Sequence, residues 1–153
     1  MIDKEDAEIL RILQSDARRA SKRIASQIGI PISTVYAKTR RMEELGIIKG
    51  YKAILDGKKL GKGAAAFVLI SFANIEISQR EVAKRIARFP DVQEVHIISG
   101  DWDIMLKVKG EDVEAIGRFV VNELRDVKGV QKTLTCMVFD AVKETQDIAV
   151  GNF

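Results

Sequence analysis

The sequence is poor in the residues that disulfide frameworks, metal sites and catalytic centres require. Its 153 residues include one cysteine, Cys136, and one histidine, His96. A single cysteine cannot form an internal disulfide, and so small a set of ligands argues against a structural zinc site. Neither residue has a recognisable partner for nucleophilic catalysis, and Cys136 is interpreted as a buried packing residue. We therefore predict a protein without metal or cofactor that is not an enzyme.

Long apolar runs and targeting signals are also missing. No stretch approaches the roughly 20 apolar residues that a membrane-spanning helix needs. The first residues, MIDKEDAEIL, lack the basic start and apolar run of a secretory signal. With two prolines and no low-complexity run, the chain is expected to be fully folded, as one ordinary domain or two small ones. We predict a cytoplasmic protein that has no membrane partner.

The charge is small in total but unevenly distributed. Residues 1–60 hold 13 Lys and Arg against 8 Asp and Glu, whereas residues 61–153 hold 12 against 14. Within the first part, residues 17–52 carry nine basic side chains and two acidic ones. Basic side chains supply the phosphate contacts that dominate affinity for nucleic acid. This distribution favours double-stranded DNA as the partner of the first part of the chain.

Residues 21–54 have the pattern of a winged helix-turn-helix: a helix, a tight turn, a second helix and a short hairpin. Gly29 suits a left-handed helix cap, and Pro31 suits the start of the next helix. The alternating, β-branched run Ile47–Ile54 predicts the strands of the wing. We therefore expect residues 1–54 to form a DNA-binding domain.

The second helix of this motif, from about Ile32 to Leu45, has two distinct faces. At 3.6-residue spacing, the inner face receives Val35, Thr39, Met42 and Leu45. The other face carries Arg40 and Arg41, which either reach guanine edges or phosphates or lie on a solvated face and pair with glutamates. Tyr36 either touches DNA or packs beside the wing. The predicted DNA contacts are Lys22, Ser33, Thr34, Tyr36, Ala37, Lys38, Arg40, Arg41 and Lys49.

After residue 54 the pattern changes. Residues 55–63 are rich in glycine and lysine, which is typical of a linker. The remaining residues, 64–153, predict a βαββαβ domain, a ferredoxin-like four-stranded antiparallel sheet with both helices on one face. The predicted fold class is thus α+β. The predicted elements are strands at 64–74, 92–99, 102–109 and 130–142 and helices at 78–89 and 111–126.

The alternation of apolar residues indicates which face of this sheet is covered by helices. Ala66, Val68 and Ile70 are expected on the covered face, and so are Val130, Leu134 and Val138. The second face of so apolar a sheet also needs cover. A homodimer formed sheet to sheet is the simplest solution.

The order and spacing of these motifs over about 150 residues make the chain similar to the Lrp/AsnC family of transcription regulators. The resemblance rests on four stretches. They are the opening Asp3, Asp6, Ile9 and Leu10; ARRASKRIASQIGI; STV followed by RRMEELGIIKGYKAILD; and GDWDIMLKV. Membership would imply DNA binding by dimers, further assembly into tetramers, octamers or higher forms, and response to an amino acid held in the second domain.

The resemblance makes the loop SGDWDI, with Gly100, Asp101, Trp102 and Asp103, part of an amino-acid pocket; the physical alternative is an ordinary hairpin with two exposed acids. Thr133 and Thr135 are alternate residues of one strand and are expected to add hydroxyl groups from the same face. Asn122 on the preceding helix is expected to read a side-chain amide; for these three residues the alternative is plain exposure to solvent. Glutamine or asparagine is therefore the first predicted effector, and a basic amino acid the second.

The predicted function is that of a sequence-specific transcription regulator that responds to an amino acid through its oligomer state or geometry. Two alternatives remain at this point. One is an architectural, chromatin-like DNA-binding protein without an effector, which footprinting would distinguish by its weak sequence preference. The other is a regulatory subunit of a metabolic enzyme, because βαββαβ domains occur there too.

Overall fold

The computed structural model describes residues 2–73 and 76–151. The chain divides into two units: one holds the residues up to Ile54 and those from Lys143 onward, and the other runs from Leu55 to Val142. The ends of the predicted domains at residues 1 and 153, and the predicted strand end at Asn74, lie outside the described residues.

The first unit is a three-helix domain. Its helices are α1 (Lys4–Ser15), α2 (Ser21–Ile28) and α3 (Ile32–Glu44). Helix α1 begins with a reciprocal cap, in which Asp3 accepts a hydrogen bond from the backbone N–H of Asp6 at 2.9 Å and Asp6 accepts one from that of Asp3 at 3.0 Å. Each carboxylate thus satisfies a backbone donor that the first turn of the helix leaves unpaired.

The turn between α2 and α3 is the predicted one. Gly29 has φ +75°, in the left-handed region, and the backbone N–H of Ile30 returns to the carbonyl of Ala25 at 3.1 Å. Pro31 then precedes α3 in an extended conformation. The three helices enclose a core of Ile9, Leu10, Ile24, Ala25, Val35 and Met42. The predicted helix-turn-helix is confirmed, except that Leu45, at the end of α3, is exposed.

The predicted strands of the wing are not formed. Residues 47–54, all of which the structure describes, hold no β-strand. A strand needs a partner to pair its backbone groups, and no described strand pairs with this segment. The segment is held to α3 by other contacts: the backbone N–H groups of Ile47 and Ile48 donate to the carbonyl of Met42, and the hydroxyl group of Tyr51 donates to Glu43 Oε1 at 2.8 Å.

The end of the described chain lies on the first unit, not in the second domain as predicted. Arg11 of α1 donates from Nη2 to the carbonyl oxygens of Val150 and Gly151, at 3.1 and 3.0 Å. Gln14 exchanges two hydrogen bonds with the backbone of Ile148, at 2.7 and 3.0 Å. Val150 also packs against the helical core. We call residues 143–151 the tail.

The second unit is the predicted βαββαβ domain. Its strands β1 (Ala64–Phe72), β2 (Val92–Ile97), β3 (Ile104–Gly110) and β4 (Val130–Met137) form an antiparallel sheet in the order β2-β3-β1-β4. Helix α4 (Gln79–Ile86) and helix α5 (Val113–Phe119), which continues as a π-helical turn over Val120–Leu124, cover one face. Their contacts with the sheet form the core of this unit, which contains Val68, Ile70, Val82, Ile86, Ile104, Leu106, Ile116 and Leu124.

A bulge changes which residues of β4 face the helices. Ser71 pairs with Lys132 but Phe72 pairs with Val130, so β4 has one extra residue there. Beyond the bulge the alternation is reversed, since each residue points to the opposite face from its neighbour. Val130 faces the helices as predicted, whereas Leu134, Cys136 and Val138 lie on the open face, where Leu134 and Cys136 are exposed. The prediction that Cys136 is buried was wrong for this reason.

The predicted linker is an ordered turn within the second unit. Lys58–Leu60 form a 3-10 turn, and Asp56 Oδ1 accepts a hydrogen bond from the backbone N–H of Lys58 at 3.0 Å. The ammonium group of Lys62 pairs with Asp91 at 2.9 Å, and this hydrogen bond raises the pKa of Lys62. The side-chain contacts of Asp56 and Lys62 thus hold both ends of this turn, and residues 56–63 belong to the second unit.

Candidate functional site

Helix α3 presents an exposed face that carries four of the nine predicted DNA contacts. Ser33, Tyr36, Ala37 and Arg40 are all exposed. The guanidinium of Arg40 pairs along the helix with Glu44 at 2.9 Å, and both side chains are largely in solvent. Such a surface ion pair contributes little free energy, so Arg40 can readily exchange Glu44 for another partner. The exposed face therefore offers small side chains, a phenol and a cation, a set that suits a major groove.

Two of the predicted contacts, Lys38 and Arg41, lie instead at the flank of α3 that faces α1. There they meet three carboxylates, those of Asp3, Glu5 and Asp6, which we call the acidic cluster. Lys38 contacts all three, with Nζ 3.2 Å from Glu5 and 3.4 Å from Asp6. Arg41 pairs with Asp6, whose side chain has no exposed surface.

The acidic cluster has a clear electrostatic effect on its members. The hydrogen bond from the Lys38 ammonium, with one from the backbone N–H of Asp6, lowers the pKa of Asp3 to about 2. For Lys38, partial burial favours a lower pKa, but hydrogen bonds to Asp3 and Glu5 outweigh it and the pKa is raised. Both groups are thus held in their charged forms at neutral pH.

The other predicted contacts of the first unit lie around the exposed face. Lys22 on α2 and Lys49 after α3 are exposed, and Thr34 is half-buried at the start of α3. Tyr51 lies close to Glu43, and its burial, followed by the hydrogen bond to that carboxylate, raises the pKa of Tyr51 to about 12. This contact fixes the segment after α3 next to the helix.

In the second unit, the predicted effector loop contains one residue with a structural role. Asp103 Oδ2 accepts a hydrogen bond from the backbone N–H of Phe72 at 2.7 Å, and the Asp103 carbonyl accepts from Gln79 Nε2 at 3.0 Å. Asp101, by contrast, is exposed, and Gly100 is exposed with φ +117°. Asp103 therefore joins β1, α4 and the start of β3.

Beside this loop lies an open depression of about 430 Å³. Of the predicted effector residues, Trp102 and Thr133 line it. Arg125 Nε donates to Thr133 Oγ1 at 3.2 Å and thereby places a guanidinium group at its wall. The remaining lining residues are Gln131, Lys132 and Leu134.

Asn122 and Thr135 are exposed and do not line the depression. Thr135 does share a sheet face with Thr133, because they pair with Val68 and Ile70 of β1. Sequence reasoning missed Arg125 and Lys132, although their place near the two threonines was a usable signal. Asp6 was also missed, although an acid at the third position of a capped helix is a recognisable pattern.

Models of known protein families match the sequences of both units. Residues 2–49 match the family model of a winged helix-turn-helix DNA-binding domain, and residues 65–148 match that of the Lrp/AsnC ligand binding domain. In the part of the chain that the structure describes, no helix is long and apolar enough to cross a membrane.

Similar proteins span the whole chain. An uncharacterized HTH-type transcriptional regulator of Pyrococcus abyssi is 41% identical, over 94% of this chain and 97% of the relative. The transcriptional regulator AzlB of Bacillus subtilis is 32% identical, over 98% of this chain and 96% of the relative. A transcriptional regulator of Neisseria meningitidis, solved in complex with L-Met, has the same fold, with a TM-score of 0.92 and 24% identity over 97% of this chain and 96% of that chain. Together, the two domain matches and these full-length relatives show that the chain belongs to the Lrp/AsnC family of HTH-type transcriptional regulators and is not an enzyme.

Proposed function

We propose that this regulator binds specific DNA sequences through the exposed face of α3. The observation that carries the proposal is the grouping of Ser33, Tyr36, Ala37 and Arg40 on one uncovered side of the helix. Lys22 and Lys49 would add phosphate contacts on either side. Arg40 is the side chain best placed for base recognition, since its surface pair with Glu44 costs little to exchange.

Binding selection from a randomised DNA pool tests this proposal. The wild-type chain should enrich a motif, and Arg40→Gln should lose about 1–3 kcal/mol on the enriched duplex and relax its preference at one position. Arg118→Gln on α5 is a matched control, because it removes an arginine that also pairs with an acid along its own helix. If no motif is enriched but DNA binds, the architectural alternative holds.

We further propose that an amino acid binds in the depression lined by Trp102, Arg125 and Thr133. The guanidinium of Arg125 suits the α-carboxylate, and the indole of Trp102 supplies an apolar wall. Asp101 remains a candidate for the ammonium group, whereas Asp103 is committed to the backbone of Phe72. Glutamine or asparagine is our first candidate; a basic amino acid is the second and suits the site less, because Lys132 also lines it.

Thermal-shift measurements with each of the twenty amino acids, followed by calorimetry, test the effector site. A ligand should raise the unfolding temperature of the wild-type chain, because it binds the folded state. Arg125→Gln should weaken binding at least about tenfold, while Arg118→Gln should leave it unchanged. Equal affinities in the two variants would place the effector elsewhere.

The same proposal includes a homo-oligomer. On the open face of the sheet, Phe67, Leu134 and Cys136 are exposed beside the half-buried Leu69. Phe139, near the end of the second unit, and Ile54, the last residue of the first unit before it, are almost fully exposed. Apolar groups in this number favour cover by a second copy. Such assembly would let an effector change the spacing of the α3 helices along DNA.

Sedimentation of the full chain tests the oligomer directly. Phe67→Glu should shift the wild-type dimer or higher form towards monomer, because it would bury a charge in the interface. Val113→Glu, which changes an exposed valine at the start of α5, is the control and should leave the mass unchanged. A wild-type chain that stays monomeric at high concentration would refute this part of the proposal.

A further inference from the structure

The buried carboxylate of Asp6 ties α1 to α3. Its Oδ2 accepts from the backbone N–H of Asp3 at 3.0 Å and pairs with Arg41, and its Oδ1 lies 3.4 Å from the ammonium of Lys38. Isolated burial of a charge is costly, so this carboxylate depends on its two cationic partners. Both partners come from the helix that carries the proposed DNA-binding face.

The two cations are used differently. The ammonium group of Lys38 has three donors, and it has three carboxylate partners in the acidic cluster. Only 16% of its side chain is exposed. Lys38 therefore has no donor left to point at a DNA phosphate.

Arg41 retains donors for a second partner. Its guanidinium has five N–H groups, one of its terminal nitrogens pairs with Asp6, and 48% of the side chain is exposed. A guanidinium held on one side by a buried carboxylate has already lost much of its rotamer freedom, which lowers the entropic cost of a contact on its other side. The planar fork also suits a phosphate oxygen.

We propose that Asp6 is a positioning residue for DNA binding, which holds Arg41 in place to contact a DNA phosphate, while Lys38 completes the charge balance of the acidic cluster and does not touch DNA. This inference rests on the proposed function of α3. It divides the predicted basic contacts into Arg41, which is aimed outward, and Lys38, which is internal.

The experiment measures affinity against salt for the full-length chain and a duplex enriched from a randomised pool by the wild-type protein. Arg41→Gln should reduce the slope of log affinity against log salt by about one, as expected for the loss of one phosphate contact. Lys38→Gln should leave the slope unchanged. Arg40→Gln serves as a reference for an exposed cation on the same helix.

Asp6→Asn provides the decisive comparison. Removal of a negative charge near DNA should by itself strengthen binding, but loss of positioning should weaken it about threefold to tenfold with the salt slope kept. In the Arg41→Gln background, Asp6→Asn should cause no such loss. Lys38→Gln separates positioning from stability, because it weakens the same cluster and should still bind DNA within about twofold of wild type.

Two results would overturn the inference: an equal loss of affinity from Asp6→Asn with and without Arg41, or a fall in salt slope for Lys38→Gln that matches the fall for Arg41→Gln. Should Asp6→Asn fail to fold, the salt slopes of Arg41→Gln and Lys38→Gln still test whether Arg41 contacts a phosphate and Lys38 does not. A wild-type chain that enriches no duplex would instead count against the proposed function, so the two failures are distinguishable.

Discussion

The carboxylate of Asp103 accepts a 2.7 Å hydrogen bond from the backbone N–H of Phe72, the residue at which the pairing of β1 with β4 shifts register. The ladder between β1 and β3 ends at the pair Ile70 and Ile104, so the N–H of Phe72 lies beyond it, and the side chain of Asp103 satisfies this donor. Asp103, which sequence analysis assigned to effector binding, thus has a structural role in the sheet.

Asp103→Ala should therefore destabilise the protein by about 1–3 kcal/mol, since the half-buried N–H of Phe72 would lose its acceptor. Asp101→Ala, two residues away and exposed, should change the unfolding free energy by less than about 0.5 kcal/mol. Chemical denaturation measures both. Equal losses would mean that the loop as a whole, and not this hydrogen bond, sets the effect.

Gly129→Ala should be among the more damaging substitutions in the second unit. Gly129 has φ +100°, and a Cβ atom there would lie 2.7 Å from Val82 Cγ2. Strain and overpacking together predict a loss of about 1–3 kcal/mol. Gly117→Ala in α5 is the control: its Cβ would meet nothing within 4 Å, so the gain in helix propensity should stabilise by up to about 1 kcal/mol.

The stability of the first unit should depend on pH through Asp3. Its pKa is about 2 in the folded state and 3.8 in the unfolded reference, so the folded chain prefers the charged carboxylate. This contribution is complete above the unfolded pKa and is lost as the pH falls through the folded pKa. The wild type should exceed Asp3→Asn in stability at neutral pH, and the difference should shrink between about pH 4 and pH 2. Asparagine is also a good helix cap, so the comparison isolates the charge. A difference that stays constant over this range would contradict the assignment.

Removal of the tail should destabilise the first unit. A chain that stops at Val142 loses the contacts of Arg11 and Gln14 with the tail backbone and the packing of Val150. The expected loss is roughly 1–3 kcal/mol for the helical unit. Amide hydrogen exchange in α1 measures it, with the strands of the second unit as the internal control. Unchanged exchange in α1 would show that the tail contributes nothing to its stability.

How far the sequence predicts this molecule depends on whether a pattern is local. Gly29 and Pro31 predict the turn between two helices. The left-handed backbone of a glycine and the fixed φ of a proline are preferences of single residues, so they can be read from the sequence. The faces of β4 beyond Val130 were not predictable, since one extra residue in the pairing with β1 reverses them, and this pairing joins two distant parts of the sequence.

The candidate sites follow the same division. Helical spacing places Arg40 on the exposed face, as predicted, but the inward turn of Lys38 depends on carboxylates more than 30 positions away in the sequence. Arg125 enters the depression because of a contact with Thr133 on a neighbouring element. Such partners become visible only when the elements are packed.

The tail has a consequence for the order of folding. The chain leaves the helical unit at Ile54, completes the βαββαβ unit by Val142, and then returns to α1. The second unit is therefore an insertion within the first. During synthesis the inserted unit is complete before the tail exists, so helix α1 must wait for its last packing partner until the whole sheet has been made. The helix-turn-helix unit therefore gains its contacts with the tail only in a chain whose second unit has already been synthesised.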